Sequence, residues 1–223
     1  ELHLSRDLLI KIPGSMRSKL KASLDNPNKP SFHIHEVTTL FHLAKSFELS
    51  SIVDSIKSGH AKLSLSAGSM KILCEPNCGG SSELSESLSF ELLHRILGAE
   101  LLHTEMSLNY FPFGSKRTDF SVKLDAVSLG VSVSRAFHWN GDKLFTERDA
   151  LLLLKKKLQG VIDSTRNIVK SQRFKKQILH IFVRSKKVAH TLHNAYKKLK
   201  SHVRVNTIVI VSIVNGSSVD CLF

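Results

Sequence analysis

Apolar and polar residues alternate with clear periods in the second half of the chain. Leucines at helical spacing between Ser82 and Gly98 predict a capped helix. Three segments of period two follow and predict antiparallel strands, after which helical and apolar segments alternate. The predicted elements are a helix at 82–97, strands at 100–110, 117–124 and 128–137, a helix at 146–169, a strand at 177–183, a helix at 185–202 and a strand at 205–214.

The first 60 residues have mostly helical spacing, interrupted by Pro13-Gly14 and by prolines at 27 and 30. Residues 62–73 have no clear period, and a strand is one interpretation of them. A glycine-serine segment at 78–82 predicts a boundary. We therefore expect a small N-terminal helical lobe at 1–79. Residues 80–223 are expected to form an α/β core, with a mixed sheet flanked by helices and a basic C-terminal half.

Charge separates the two parts of the chain. Residues 1–142 contain 15 Lys and Arg against 15 Asp and Glu, whereas residues 143–223 contain 17 against 4. All of the net charge of +13 therefore lies in the last third, which favours an anionic partner, most commonly nucleic acid. A protein partner is also possible. The longest apolar runs are too short to span a bilayer, so no membrane partner is expected.

The three cysteines, Cys74, Cys78 and Cys221, form no disulfide framework in a chain of 223 residues. Reduced thiols are typical of an intracellular protein, nuclear or cytoplasmic.

Candidate chemistry lies on the predicted hairpins. If Leu124 pairs with Leu129, Asp119 lies opposite Ser134, and the preceding hairpin places Glu105 opposite Asp119. Adjacent carboxylates on one sheet face repel each other unless a cation or a proton lies between them. Oxygen ligands of this kind suit magnesium or manganese, so the pattern predicts a divalent metal site.

The helix at 82–97 offers a third acid. Glu91 lies at the edge of the apolar arc, beside Leu84 and Leu88, where its carboxylate could reach the sheet. Glu86 is the alternative. We take Glu91, Glu105 and Asp119 as the predicted metal ligands.

With a helix glutamate, the aspartate of "RTDF" and the "SVS" strand, residues 80–215 resemble the restriction-endonuclease-like PD-(D/E)XK superfamily. They are also similar to a eukaryotic family with a GVSVTRA-like strand, a similarity that implies no activity. The first resemblance implies a restriction-endonuclease-like core and metal-dependent phosphodiester hydrolysis. Ser132 and Ser134 occupy the positions of its strand acid and lysine. Glu105 could replace the acid, and Arg135, Lys123 or Lys155 could supply the positive charge.

Two functions remain open. One is a nuclease with an atypical site, whose catalytic residues would be Glu91, Glu105, Asp119, Ser134 and Arg135. The other is a catalytically inactive nuclease-fold module that binds DNA or RNA, or that scaffolds a complex. In both, basic helices and their flanks contact phosphates without reading sequence. The predicted contacts are Lys155, Lys156, Lys157, Lys175, Lys176, Lys186, Lys187, Lys197 and Lys198.

Overall fold

The structure is a computed structural model that describes residues 14–26, 28–38, 65–77, 82–137, 144–215 and 222–223. Its strands are β1 (Ser31–Thr38), β2 (Glu100–Thr104), β3 (Phe120–Leu124), β4 (Val127–Ala136), β5 (Lys176–Val183) and β6 (Ile208–Asn215). They form a six-stranded sheet in the order β1-β6-β5-β4-β3-β2. The first four strands in this order are parallel, whereas β4, β3 and β2 are antiparallel. The predicted α/β architecture with a mixed sheet is confirmed.

Helices cover both faces of the sheet. They are α1 (Gly14–Leu24), α2 (Ala67–Cys74), α3 (Glu83–Leu97), α4 (Glu147–Asn167), α5 (Lys186–Lys198) and α6 (Ser201–Arg204). On one face of the sheet, helices α1, α2 and α3 form a core with residues of β3, β4, β5 and β6. On the opposite face, α4 and α5 form a second core with residues of β5 and β6. Because β5 and β6 are covered on both faces, their side chains are buried almost throughout.

Helix α3 is buried on nearly every side because α2 packs closely against it. A Cβ atom at Gly68 would lie only 2.4 Å from the ring of Phe90, so glycine allows the helices to approach. The hydroxyls of Ser69 and Ser87 each donate to the other residue's carbonyl oxygen, at 3.2 and 2.8 Å. Gly98 ends α3 in the left-handed conformation, with φ of 74°.

The described part of the N-terminal region is not a separate helical lobe. Strand β1 pairs along its whole length with β6, and Val37 is buried in the same core as Leu20 of α1. The prediction of helix is wrong for β1. These residues form a strand because they pair with the apolar strand β6, a contact that the local spacing of apolar residues does not reveal. Residues 67–74, in the segment without clear period, form a helix. The predicted helical segments at 1–13 and 39–64 lie outside the described residues.

A chain of buried polar side chains crosses the sheet from α3 to β1. Ser89 contacts His180 Nδ1 at 2.7 Å, and His180 Nε2 contacts Ser212 Oγ at 2.6 Å. Ser212 Oγ also contacts His35 Nε2 at 2.8 Å. Burial lowers the pKa of His35 to about 3 and that of His180 well below its ordinary value. Both histidines are therefore neutral in the folded protein at physiological pH.

Candidate functional site

A cleft of about 500 Å³ lies where the start of α3 faces the β3–β4 hairpin and α4. Glu86 of α3, Glu105 and Asp119 line it, together with the loop residues 114–117. Ser132 of β4 and the lysines 156 and 157 of α4 complete the wall. The cleft therefore combines carboxylates and cations supplied by separate elements of the fold.

Glu86 lies in the first turns of α3 and is only 5% exposed. Burial, together with the nearby charges of Asp119 and Glu105, raises its pKa to about 8, although a hydrogen bond with Ser82 acts in the opposite direction. A carboxyl group in this position carries its proton at neutral pH unless a cation is present. Glu86 is thus the acid of the cleft whose protonation depends most on the other charges there.

Asp119 immediately precedes β3. Its backbone N–H donates to the Val131 carbonyl at 3.1 Å, and its carboxylate accepts from the Val133 N–H at 2.5 Å. Burial raises the pKa of Asp119 to about 6. The Val133 hydrogen bond and the charge of Lys157 act in the opposite direction, and Glu105 adds to the increase. The backbone of β4 therefore holds this carboxylate at the cleft.

Lys157 approaches the cleft from α4. Its ammonium donates to the carbonyl oxygen of Val133 at 3.3 Å, on the residue whose N–H binds Asp119. It is near enough to Asp119 for its charge to favour the ionised carboxylate. Lys157 therefore brings a positive charge close to Asp119, whereas the sequence offered Lys155, Lys123 and Arg135 for this role.

The hairpin register differs from the prediction by two residues. Leu124 pairs with Val127, not with Leu129, and Phe120 pairs with Val131. Asp119 therefore lies beside Ser132, and the predicted pairing with Ser134 is wrong. The connection is short because Asp125 adopts φ of 51°, which allows the chain to reverse over two residues. A slip of two residues keeps every side chain on its predicted face.

Glu105 lies just past the end of β2, where Thr104 pairs with Phe120. The predicted strand at 100–110 ends at Thr104, and residues Glu105–Ser107 form a 3-10 turn. The structure nevertheless brings Glu105 and Asp119 into one cleft.

Glu91 points elsewhere, and the structure contradicts its assignment to the metal site. Its carboxylate accepts hydrogen bonds from the hydroxyls of Ser66 and Ser69 at 2.7 and 2.6 Å, and from Arg95 at 2.6 Å. Burial would raise its pKa, but these hydrogen bonds hold the pKa below the ordinary value. Glu91 anchors the start of α2, and Glu86 is the acid of α3 that reaches the cleft.

Ser134 and Arg135 do not line the cleft. Arg135 donates to the carbonyl oxygen of Leu222 at 3.1 Å and lies 5.5 Å from the ring centre of Phe137. Burial lowers its pKa, while the charge of Glu86 partly restores it. The predicted catalytic role of Arg135 is therefore unsupported.

The predicted phosphate contacts divide by exposure. Lys176 is 3% exposed, and its ammonium donates to the carbonyls of Ser23, Asn26 and Lys29 at 2.8, 2.8 and 3.0 Å. It closes the C-terminal end of α1, so its assignment as a nucleic-acid contact is wrong. Lys186 pairs with Glu36 at 2.7 Å and Lys198 pairs with Glu147, both at the surface. Lys155, Lys156, Lys175, Lys187 and Lys197 are exposed as well.

Charge alone suits the cleft to a divalent cation, because three carboxylates surround it and two of them have raised pKa values. Across residues 14–38, 65–77, 82–137 and 144–215, apart from the undescribed residue 27, no three Asp, Glu, His or Cys side chains are gathered tightly enough to hold a metal. Among these described residues the cleft thus contains carboxylate oxygens, but they are not close enough together to hold a metal ion.

The fold and the cleft define an α/β protein with a six-stranded mixed sheet, flanked by helices, and a cleft of mixed charge. A curated relative from Dictyostelium discoideum, described as AAC-rich mRNA clone AAC4 protein, is 44% identical over 159 residues. The alignment covers 69% of this chain and 23% of the relative, so the chain spans less than a quarter of that protein's length. No family model and no solved structure matches the chain. None of the helices in its described parts is long and apolar enough to span a membrane.

Proposed function

We propose that this protein is a phosphodiester hydrolase acting on nucleic acid, with a magnesium or manganese ion held by Asp119, Glu105 and Glu86. The observation that carries the proposal is the shared cleft, in which Asp119 and Glu105 raise the pKa of Glu86 while Lys157 faces Asp119. Mutual repulsion of this kind is relieved by a cation, so the acids are placed for binding rather than for stability.

The topology supports the same proposal. Helix α3 is followed by the antiparallel strands β2, β3 and β4, then by α4 and the parallel strand β5. This order is the one that the resemblance to restriction-endonuclease-like proteins implies, and Asp119 stands at the expected place before β3. Glu86 then corresponds to the helix glutamate.

The residues of the cleft would have separate roles in hydrolysis. A divalent ion, when bound, polarises the phosphate and lowers the pKa of bound water. The carboxylates of Asp119 and Glu105 would hold the ion, and Glu86 would join them in its ionised form, with its proton released to solvent. Lys157 supplies the positive charge that the "SVS" strand lacks, and stabilises charge that develops on the phosphate. Ser132, beside Asp119, has a hydroxyl that can donate to a phosphate oxygen.

Surface lysines would hold the nucleic-acid backbone near the cleft. Lys116 and Lys156 line its wall, and Lys155 is exposed one residue away on α4. Contacts of this kind neutralise phosphates and release counterions, so affinity falls as salt concentration rises. They carry no sequence information, and a preference for DNA or RNA depends on other contacts.

A second candidate is a non-catalytic module of the same fold that binds nucleic acid or scaffolds a complex. Ser132 favours it, because a serine beside Asp119 adds no charge for a metal. The open arrangement of the carboxylates also favours it, since ion binding requires them to draw together.

The test is cleavage of labelled single- and double-stranded DNA and RNA with magnesium or manganese. We expect cleavage by the wild type and its loss in Asp119→Asn and in Glu86→Gln. Glu100→Gln is the matched control, because Glu100 is an exposed acid outside the cleft. Binding by all variants, without cleavage by any, would establish the non-catalytic module instead.

A further inference from the structure

The loop at residues 108–118, which we call the aromatic loop, joins the turn after β2 to the start of β3. The N–H of Phe111 donates to the Asn167 carbonyl at 2.8 Å, and the N–H of Val169 donates to the Asn109 carbonyl at 3.0 Å. Gln172 accepts from the Asn109 N–H at 2.7 Å. These bonds attach the first half of the loop to the end of α4.

The second half of the loop is fixed just as firmly. Arg117 donates to the carbonyls of Glu105 and Leu108 at 2.6 and 2.7 Å. Its guanidinium lies 5.3 Å from the ring centre of Tyr110, and the Tyr110 hydroxyl accepts from the Thr118 N–H at 3.0 Å. The loop is therefore a fixed structure held by its own polar contacts.

This fixed loop presents two aromatic rings to solvent at its tip. Phe111 is 80% exposed and Phe113 is 99% exposed. The turn between them and the cleft is closed by Ser115, whose hydroxyl donates to the Pro112 carbonyl at 2.5 Å, and by Gly114 at φ of 84°. Two large apolar side chains held in water on an anchored loop are typical of a binding surface.

The tip directly adjoins the proposed hydrolytic site. The four residues after Phe113, Gly114 to Arg117, line the same cleft as Asp119 and Lys157. The lysines that line the cleft suit phosphates, and the rings next to it offer flat apolar faces. Phosphate contacts alone require cations and no aromatic rings.

We infer that Phe111 and Phe113 stack with unpaired bases, so that the substrate is single-stranded nucleic acid or the unpaired end of a junction. This inference rests on the proposed function for its choice of ligand. Bases in a duplex stack on each other and hide their faces, whereas unpaired bases are free to stack on exposed aromatic side chains beside a groove that binds the backbone. The proposal does not distinguish DNA from RNA, because both have the same stacking faces.

The experiment measures binding of fluorescent oligonucleotides by anisotropy in EDTA, so that cleavage does not contribute. DNA and RNA of one mixed sequence are compared as single strands and as duplexes. The proteins are the wild type, Phe111→Ala with Phe113→Ala, and Phe113→Trp. Leu102→Ala is the control, because Leu102 is 40% exposed on β2 and does not line the cleft.

We expect the wild type to bind single strands more tightly than duplexes. Loss of both rings should weaken single-strand binding by at least about 25-fold, which is about five-fold for each ring, from the usual contribution of base stacking. Duplex binding should change by less than about two-fold, since its phosphate contacts remain. Phe113→Trp should retain single-strand affinity, and Leu102→Ala should behave as the wild type.

Three results would overturn the inference. Equal loss of single-strand and duplex affinity would assign the rings to the folding of the loop. Unchanged affinity, together with loss of self-association in sedimentation, would assign them to a protein contact. Absence of binding to every oligonucleotide by the wild type would reject the proposed function together with the inference, whereas the first two results reject the inference alone.

Discussion

Replacing Glu86 with glutamine should make the metal-free protein more stable at neutral pH. The folded state raises the pKa of Glu86 from 4.5 to about 8, so folding at pH 7 requires uptake of a proton that the unfolded chain lacks. Glutamine has almost the same shape and no proton to bind. The variant therefore folds without the unfavourable free energy of protonating residue 86, which destabilises the wild type at pH 7.

The magnitude follows from proton linkage. A group whose pKa is higher in the folded state destabilises that state above its unfolded pKa, and the cost grows until pH exceeds the folded pKa. For Glu86 the cost at pH 7 is about 3 kcal/mol, and at pH 5 it is about 1 kcal/mol. The larger value corresponds to a rise in Tm of roughly 6 to 12 °C for a chain of this size.

The assay is urea and thermal unfolding of the wild type and Glu86→Gln in EDTA at pH 5, 6, 7 and 8, with Glu100→Gln as the control. The stability difference should increase with pH and should disappear near pH 4. A difference that is the same at pH 5 and pH 7 would refute the reasoning. So would a variant less stable than the wild type at pH 7, since Glu86 would then be ionised and neutralised within the protein.

Three further predictions use other parts of the molecule. Lys157→Met should reduce the cleavage rate at least about 100-fold, as expected for loss of a charge that acts in the transition state. Nucleic-acid affinity in EDTA should change by less than a few-fold, and an equal loss of cleavage and affinity would contradict this role of Lys157. Lys176→Met should lower the free energy of unfolding by about 2 to 4 kcal/mol, because three backbone carbonyls lose the buried ammonium that donates to them. Lys175→Met should change it little, and urea titration of both variants compares them. The neutral histidines His35 and His180 should make stability fall as pH drops below 6.5, by about 2 kcal/mol for His35 between pH 7 and pH 5. Replacing His35 with Gln should reduce this dependence, and an unchanged pH profile would disprove it.

Much of the core was predictable because local pattern and tertiary structure agree there. The helix between Ser82 and Gly98 has both leucine periodicity and a glycine stop, and α3 spans Glu83–Leu97. Strands β5 and β6 are mostly apolar, with His180 and Ser212 as interruptions, as expected for strands covered on both faces.

The wrong predictions have a common cause. Contacts between segments that are far apart in the sequence cannot be inferred from the local spacing of apolar residues. Strand β1 forms because the edge of β6 was free. Which glutamate of α3 lines the cleft depends on α2. Ser66 and Ser69, at the start of α2, hydrogen-bond to Glu91, and Glu86 lines the cleft instead. Glu86 was nevertheless available in the sequence as the alternative.

The position of Lys157 was equally hidden. The sequence indicated a basic helix, and which lysine of three consecutive ones faces Asp119 depends on how α4 crosses β4. The two-residue hairpin connection at Asp125 similarly decided whether Ser132 or Ser134 lies beside Asp119. An aspartate that tolerates positive φ was the available signal for it.

The most direct test of metal binding in the cleft is a crystal of the protein soaked in manganese and measured for anomalous scattering. We expect one manganese peak in the cleft, with carboxylate oxygens of Asp119, Glu105 and Glu86 as its protein ligands. A cleft with no peak, in which the Lys157 ammonium lies among the carboxylates, would contradict it.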